Sequence, residues 1–187
     1  MKTHVKSLFL LLATALFALT IPALPAEPAA VPIAAAPSDR LFKRGELQFD
    51  AFAGYASVQA GALSTSLGSI ATGGVYRGGV GINYFLTDNW GVGVDTILGS
   101  GGAGYFQTAA LSGIFRFPVE KYRLAPYIFG GAGMVFQGPN YYTYHAGLGL
   151  EVRVTKRLGV FTDLRYTFSE GSNPDGTLVR LGARLNF

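Results

Sequence analysis

The chain has 187 residues, with no cysteine, 26 glycines and a hydrophobic fraction of 49%. Without cysteine it has no disulfides, no thiolate nucleophile and no cysteine-ligated metal. The formal net charge of +4 includes no run of basic residues, so the sequence gives no indication of nucleic-acid binding. A chain this apolar, with no long hydrophobic helix after its N-terminus, is expected to carry its apolar residues at a period of two.

Residues 1–26 have the three-part order of a secretory signal peptide. Lys2 and Lys6 precede an apolar run from Leu8 to Thr20, and small residues follow it. This run is shorter than the roughly 20 residues of a membrane-spanning helix, so we favour cleavage over an uncleaved anchor. Cleavage is expected after Ala26, with Ala29, Ala30 and Ala36 as alternatives. Residues 27–45, rich in proline and alanine, are predicted to be a periplasmic linker to a domain at 46–187.

Segments in which apolar and polar residues alternate then follow one another to the last residue. They are 46–57, 75–86, 90–98, 105–117, 125–136, 144–154, 160–168 and 179–187. The third segment is typical, because Val92 and Val94 alternate with Gly91, Gly93 and Asp95. The fifth has the weakest contrast in polarity, alternating Tyr127, Phe129 and Val135 with Gly130, Ala132 and Met134. Segments of this length suit tilted strands that cross a bilayer.

Lipid does not tolerate an open sheet edge, so these strands are predicted to close on themselves. The predicted fold is all-β, a closed eight-stranded antiparallel up-and-down transmembrane β-barrel. A soluble sandwich or lipocalin-like barrel is the alternative. Connections that alternate between short and long, and aromatic residues at strand ends, argue against it. The short connections at 87–89, 118–124 and 155–158 are expected to face the periplasm, and those at 58–73, 99–104, 137–143 and 169–176 the outside.

Two glycine-rich segments resemble the OmpA-like, or outer membrane protein beta-barrel domain, family. They are Asp-Asn-Trp-Gly-Val-Gly-Val at 88–94 and Leu-Ala-Pro-Tyr-Ile-Phe-Gly-Gly-Ala-Gly at 124–133. The last strand is similar to an outer-membrane assembly signal, formed here by Val179, Leu181, Ala183, Leu185 and Phe187. Over residues 46–187 the resemblance implies location in the outer membrane and insertion by the barrel assembly machinery. It also implies contact with outer-membrane lipid and lipopolysaccharide, but no single shared activity.

The inward face of the predicted barrel carries most of the charge. An eight-stranded barrel is only wide enough for side chains to fill, so these charges are expected to pair near mid-height. The predicted cluster is Asp50, Asp95, Glu151 and Asp163 with Arg153, Arg165, Arg180 and Arg184; Arg77 and Arg116 also face inward. For Asp163 we expect Arg165 or Arg184 as the partner. A narrow porin-like channel is the alternative, because intramembrane ionisable residues often serve function. The inward glycines leave room for water but do not by themselves make a continuous pore.

The sequence predicts no catalytic residues, no metal site and no cofactor. His145 is the one histidine after the predicted signal peptide, so a metal would find no second imidazole. The segment 166–174, with Ser169, Glu170 and Ser172, is similar to lipid A deacylases but has no histidine to activate a serine. We therefore expect a structural or surface-interaction protein, with a lipid-modifying enzyme as a further alternative. An extracellular ligand would bind the loops 58–73 and 137–143, the second of which contains Tyr141 and Tyr142.

Overall fold

The structure, a computed structural model, describes residues 40–58, 74–98, 107–136, 140–170 and 175–187. These residues form a closed barrel in which every strand pairs antiparallel with its sequence neighbours and the last strand pairs with the first. The strands are β1 (Leu47–Val58), β2 (Gly74–Phe85), β3 (Trp90–Leu98), β4 (Thr108–Arg116), β5 (Leu124–Val135), β6 (Tyr141–Arg153), β7 (Leu158–Ser169) and β8 (Gly176–Asn186). The predicted closed eight-stranded up-and-down barrel is therefore confirmed. The predicted signal peptide and most of loop 58–73 lie outside the described residues.

The two ends of the barrel differ in the length of their connections. At one end, which we call the short-turn end, β1 begins, β8 ends, and the connections are 86–89, 117–123 and 154–157. The opposite, long-loop end carries the connections at 59–73, 99–107, 136–140 and 170–175. Tyr141, Tyr142 and Thr143 were expected in a loop but belong to β6, because they continue its ladder with β5.

The short turns are closed by side chains as well as by backbone hydrogen bonds. The Thr87 hydroxyl accepts hydrogen bonds from the backbone N–H groups of Asn89 and Trp90, at 3.2 and 2.8 Å. In its own turn, the Thr155 hydroxyl accepts hydrogen bonds from the backbone N–H groups of Arg157 and Leu158. The turn between β4 and β5 contains a 3₁₀ turn at Glu120–Tyr122 that the sequence did not predict, ending at Arg123 with φ 57°. Among the described residues, no helix is long and apolar enough to span a membrane.

Apolar side chains cover the outside of the barrel between two sets of aromatic rings. The apolar band includes Val80, Ile82, Val94, Leu111, Leu148, Leu164 and Leu181, all exposed to the surroundings. Toward the short-turn end, Trp90 packs on Phe115 and Phe49 on Phe187, with ring centroids 4.5 and 5.8 Å apart. Toward the long-loop end, the ring pairs are Tyr55–Tyr76 and Tyr166–Phe168. This arrangement is typical of a barrel that spans a bilayer.

Inside the barrel, aromatic rings lie over glycines of the neighbouring strand. The directly paired residues are Phe52 and Gly79, Phe85 and Gly91, Tyr127 and Gly149, Phe129 and Gly147, and Phe161 and Gly182. A Cβ atom added at any of these glycines would come closer than 3.0 Å to the ring of its partner. At these positions, rings fill the space that the glycines leave in the lumen.

The fifth strand shows why its polarity contrast is weak. Its rings Tyr127 and Phe129 are buried in the lumen, whereas Ile128 between them is exposed on the outer face. Both faces of β5 are therefore apolar at this height, so alternation does not reveal which set faces inward.

Residues 40–45, which the sequence assigns to the linker, pack against the short-turn end; we call them the strap. Glu120 accepts hydrogen bonds from the backbone N–H groups of Leu41 and Phe42 at 3.1 and 3.2 Å. Asp88 accepts from the backbone of Arg44 and pairs with the guanidinium of Arg40, both at 2.8 Å. Phe42 is 1% exposed, so the strap closes this end of the lumen with a ring.

Candidate functional site

Charged side chains reach the lumen from β1, β3, β4, β6, β7 and β8. The pleat sends every second residue of a strand inward, so Glu151 and Arg153 of β6 share the inner face, as do Asp163 and Arg165 of β7. All eight residues of the predicted cluster lie on this face. Together with Glu46 and Arg116 they give five carboxylates and five guanidinium groups, joined by ion pairs. We call these ten residues the lumen network.

The half of the network nearer the short-turn end is a continuous chain of alternating charge. Glu46 pairs with Arg116 at 3.1 Å and with Arg153. Arg153 Nε lies 2.5 Å from Glu151 Oε1, as an ion pair without hydrogen-bond alignment. Glu151 Oε2 accepts from Arg184 Nη1 at 2.6 Å. The order along the lumen is thus Arg116, Glu46, Arg153, Glu151, Arg184, and it ends at Asp50.

The last link of this chain of charges is a two-point contact between Arg184 and Asp50. Its Nε and Nη2 donate to the two oxygens of Asp50, each at 2.7 Å. Asp50 also accepts a hydrogen bond from the side-chain amide of Asn83 at 2.8 Å. Asp50 and Arg184 are directly paired residues of β1 and β8, so this contact joins the first and last strands of the barrel.

The second half of the network lies nearer the long-loop end. Arg165 donates to Asp95 at 2.9 Å, and Arg180 Nη1 lies 3.4 Å from the same carboxylate. Arg180 also makes a two-point contact with Asp163, at 2.7 and 2.9 Å. The prediction that Asp163 would pair with Arg165 or Arg184 was therefore wrong. Asp163 and Arg180 are directly paired residues of β7 and β8, which places the two groups side by side.

Tyr127 connects the two halves. Its hydroxyl donates to Asp163 at 2.8 Å, and the guanidinium carbon of Arg184 lies 5.7 Å from the centre of its ring. Tyr127 was not predicted to belong to the cluster, because an aromatic residue in a transmembrane strand is equally suited to lipid.

Each arginine of the network also lies over an aromatic ring. The guanidinium of Arg116 is 3.6 Å from the centre of Phe85, and those of Arg184 and Arg180 are 4.6 and 4.8 Å from Phe161 and Phe52. Arg153 lies over Phe42 of the strap and Arg165 over Phe129. Such contacts stabilise a guanidinium that has lost much of its water. Glycines, rings, guanidiniums and carboxylates thus pack together in a narrow lumen.

Glu46 is the residue of the network that lies outside the strands, and its side chain is 1% exposed. Burial raises the pKa of its carboxyl, but Arg116 and Arg153 beside it lower that pKa more, so the net shift is downward. Glu46 remains charged and holds the short-turn end of the network together. Glu46 continues the alternation of β1 on its inward face, and this was the available signal for its role. It was not predicted to belong to the cluster because it lies at the predicted domain boundary.

His145 makes a contact that the sequence did not predict. Its Nε2 lies 2.8 Å from the hydroxyl of Ser112 on β4, and the two residues are 5% and 4% exposed. A serine bonded to an imidazole is the usual start of a nucleophilic site. This pair, however, faces the filled lumen, away from lipid acyl chains. In the segment similar to lipid A deacylases, Ser169 and Glu170 are described, and Ser172 lies outside the described residues.

The predicted assembly-signal residues Val179, Leu181, Ala183, Leu185 and Phe187 are exposed on the outer face. Arg180, Arg184 and Asn186 alternate with them and are buried in the lumen. The backbone N–H and C=O of Phe187 both bond to Leu47, so the last residue is held against the start of β1.

The barrel is similar to solved structures from several bacteria. With the N-terminal β-barrel domain of Pseudomonas aeruginosa OprF, it has a TM-score of 0.57 and 17% identity over 78% of this chain and 99% of that one. With Escherichia coli outer membrane protein W, the TM-score is 0.53 and the identity 14%, over 78% of this chain and 99% of that one. With Ail, the attachment invasion locus protein of Yersinia pestis, they are 0.51 and 14% over 77% and 99%.

No protein-family model and no curated protein sequence matches this chain. The predicted resemblance to small eight-stranded outer-membrane barrels is confirmed at the level of the fold. The predicted location, the outer membrane, is that of the similar solved structures. The chain has the fold of the small outer-membrane β-barrels.

Proposed function

We propose that this protein is a structural or surface-interaction barrel of the outer membrane, with a lumen closed to ions. The observation that carries the proposal is the lumen network, in which five carboxylates and five guanidiniums pair with one another. Charges that are paired and buried fill the lumen of an eight-stranded barrel instead of attracting mobile ions. The strap adds a second barrier at the short-turn end.

Conductance in planar bilayers tests the closed lumen. The reconstituted protein is expected to give no stable current steps. The comparison variant replaces Arg153, Arg180 and Arg184 by glycine, which empties the lumen and is expected to produce steps; an unboiled gel shift checks that it folds. Stable steps from the wild-type protein, with an ion preference altered by Asp163→Asn, would instead support a narrow porin-like channel.

The surface-interaction part of the proposal requires the long loops to face outward. Because the chain has no cysteine, single cysteines report position cleanly. Tyr142 is 58% exposed at the long-loop end, and Thr155 is exposed in a short turn. In intact cells a membrane-impermeant maleimide is expected to label Tyr142→Cys, and to label Thr155→Cys only after permeabilisation. The reverse pattern would remove loops 58–73 and 137–143 as surface ligand sites and as contacts for lipopolysaccharide.

We propose no enzymatic activity for the pair of Ser112 and His145. Both side chains are buried inside the lumen, where no acyl chain of the surrounding lipid reaches them. Mass spectrometry of lipid A from cells with and without the protein is expected to show no difference. A mass change that Ser112→Ala abolishes would overturn this statement.

A further inference from the structure

The connections at the two ends of the barrel carry opposite charge. The strap and the short turns contain Arg40, Lys43, Arg44, Lys121, Arg123, Lys156 and Arg157, and their acids besides the buried Glu46 are Asp88 and Glu120. The long loops contain no basic residue, and their acids are Glu170 and Asp175. The short-turn end is therefore a basic rim on a barrel whose other end is neutral to acidic.

Both acids of the rim are already used by the strap. Glu120 accepts from two backbone N–H groups of the strap, and Asp88 holds Arg40 and the backbone of Arg44. The basic residues Lys43, Arg44, Lys121, Arg123 and Arg157 are exposed. We call these five residues the rim cations. Their excess over the acids leaves the rim with a positive potential.

Two of the rim cations lie next to aromatic rings of the outer surface. Lys121 and Arg123 flank Tyr122, which is 62% exposed, in the turn that follows β4. The same turn adjoins the ring cluster of Trp90, Phe115 and Phe117. Rings of this kind mark the level of the lipid headgroups, so the cations just beyond them lie within reach of headgroup phosphates.

The turns that carry the cations are also joined to one another. Arg123 donates from its guanidinium to the backbone carbonyl of Val154, at 3.0 Å, in the turn that carries Lys156 and Arg157. The turns at 117–123 and 154–157 therefore present their cations next to each other on the rim. Such a rim matches a surface of distributed anionic charge, such as a lipid leaflet, better than a single small anion.

We propose that the short-turn end binds the headgroups of anionic glycerophospholipids. The inference goes beyond the closed lumen and does not depend on it. It also does not depend on which leaflet the short turns face, because it concerns the affinity of the rim for a headgroup charge. A soluble acidic polymer of the cell envelope is the competing partner, and the test separates the two.

Trp90 makes the test direct, since it is the one tryptophan of the chain and lies in the ring cluster beside the turn with Lys121 and Arg123. The purified protein is reconstituted in vesicles that mix zwitterionic phosphatidylcholine with phosphatidylglycerol, one of the two brominated on its acyl chains. Brominated lipid quenches Trp90 on contact, so the two series give the relative affinity of each lipid for that site. Brominated phosphatidylglycerol is expected to be favoured about fivefold, the effect of about one cation near the surface. Concentrated salt is expected to remove the preference.

Two triple variants complete the experiment. Lys121→Gln with Arg123→Gln and Arg157→Gln removes charge and is expected to abolish the preference. Lys121→Arg with Arg123→Lys and Arg157→Lys keeps the charge and is expected to retain it. Equal quenching by both lipids in the wild-type protein overturns the proposal, and so does a preference that survives in the glutamine variant. If soluble polyglutamate, added at the same total charge as the vesicles, removes the preference for phosphatidylglycerol, the rim is assigned to an acidic polymer instead.

Discussion

Replacement of Asp163 by alanine tests the lumen network at its most constrained point. Asp163 accepts two hydrogen bonds from Arg180 and one from Tyr127, and its side chain is fully buried. In Asp163→Ala, the ion pair that Arg180 keeps is the longer one with Asp95, at 3.4 Å. Removing one partner of a buried pair leaves an uncompensated charge, which costs about 3–5 kcal/mol. We expect the free energy of unfolding to fall by that amount.

A double-mutant cycle separates the pair from general damage to the lumen. The cycle combines Asp163→Ala with Arg180→Met, and the coupling energy is expected to be about 2–3 kcal/mol, the upper part of the range for residues in contact. The control cycle combines Asp163→Ala with Arg153→Met. Arg153 is four residues along β6 from Gly149, the residue that faces Asp163, or about 13 Å away. Its coupling is expected to stay within about 0.5 kcal/mol.

Urea unfolding in phospholipid vesicles, followed by the fluorescence of Trp90, measures the three single variants, the two double variants and the wild type. Equal coupling in the two cycles would refute the reasoning, because it would mean that the charges respond to the lumen as a whole and not to their paired neighbours.

Three further predictions follow from the closed sheet, the last residue and the charge of Glu46. A closed barrel has no unpaired edge, so unboiled and boiled samples are expected to migrate differently on a detergent gel; identical migration under several refolding conditions would contradict closure. Phe187→Ala and Phe49→Ala remove the same ring contact, so both are expected to lower the stability of the refolded protein equally. In cells, only Phe187→Ala is expected to lower the amount of protein in the outer membrane. Equal amounts of the two variants in the outer membrane would mean that Phe187 serves only in packing. In the folded protein the pKa of Glu46 lies below its ordinary value of 4.5. The charge of Glu46 therefore stabilises the fold above pH 4.5, and this stabilisation is lost as the pH falls through the folded-state pKa. The difference in unfolding free energy between wild type and Glu46→Gln is therefore expected to be constant near neutral pH and to shrink below pH 4.5, and a difference that grows with acid would contradict the ion pairs of Glu46.

The strands and their facing were predictable because lipid and lumen impose opposite chemistry on alternate residues. In β8 the contrast between Arg180 or Arg184 and Leu181 or Leu185 leaves a single assignment of faces. In β5 it fails, since Tyr127 and Phe129 suit lipid as well as the inner side of a glycine-lined wall.

The partners within the network were not predictable in the same way. Alternation gives the face of a residue but not its register against the next strand. The pairing of Asp163 with Arg180 follows from the register of β7 and β8, in which the two residues face each other. The expected partners were chosen from the same set of inward arginines without that register.

The strap escaped prediction for a different reason. Its bonds to the acids of the short turns join residues 44 to 79 positions apart, as between Leu41 and Glu120 or Arg44 and Asp88. The strap contains no proline, but it has no apolar–polar alternation that would mark it as part of the barrel. The acids that bind its backbone lie in turns that look solvated from sequence alone.

The pair of Phe161 and Gly182 has a consequence for the width of the barrel. Alternation excludes a slip of β8 against β7 by one residue, because it would turn arginines toward lipid, but it tolerates a slip by two. A slip by two would bring Phe161 opposite Arg180 or Arg184, neither of which leaves room for its ring. The stagger accumulated around a closed sheet is its shear, and shear together with strand number sets the radius. A ring that fits only over Gly182 therefore excludes barrels of neighbouring shear, and with them wider or narrower cylinders built from the same strands.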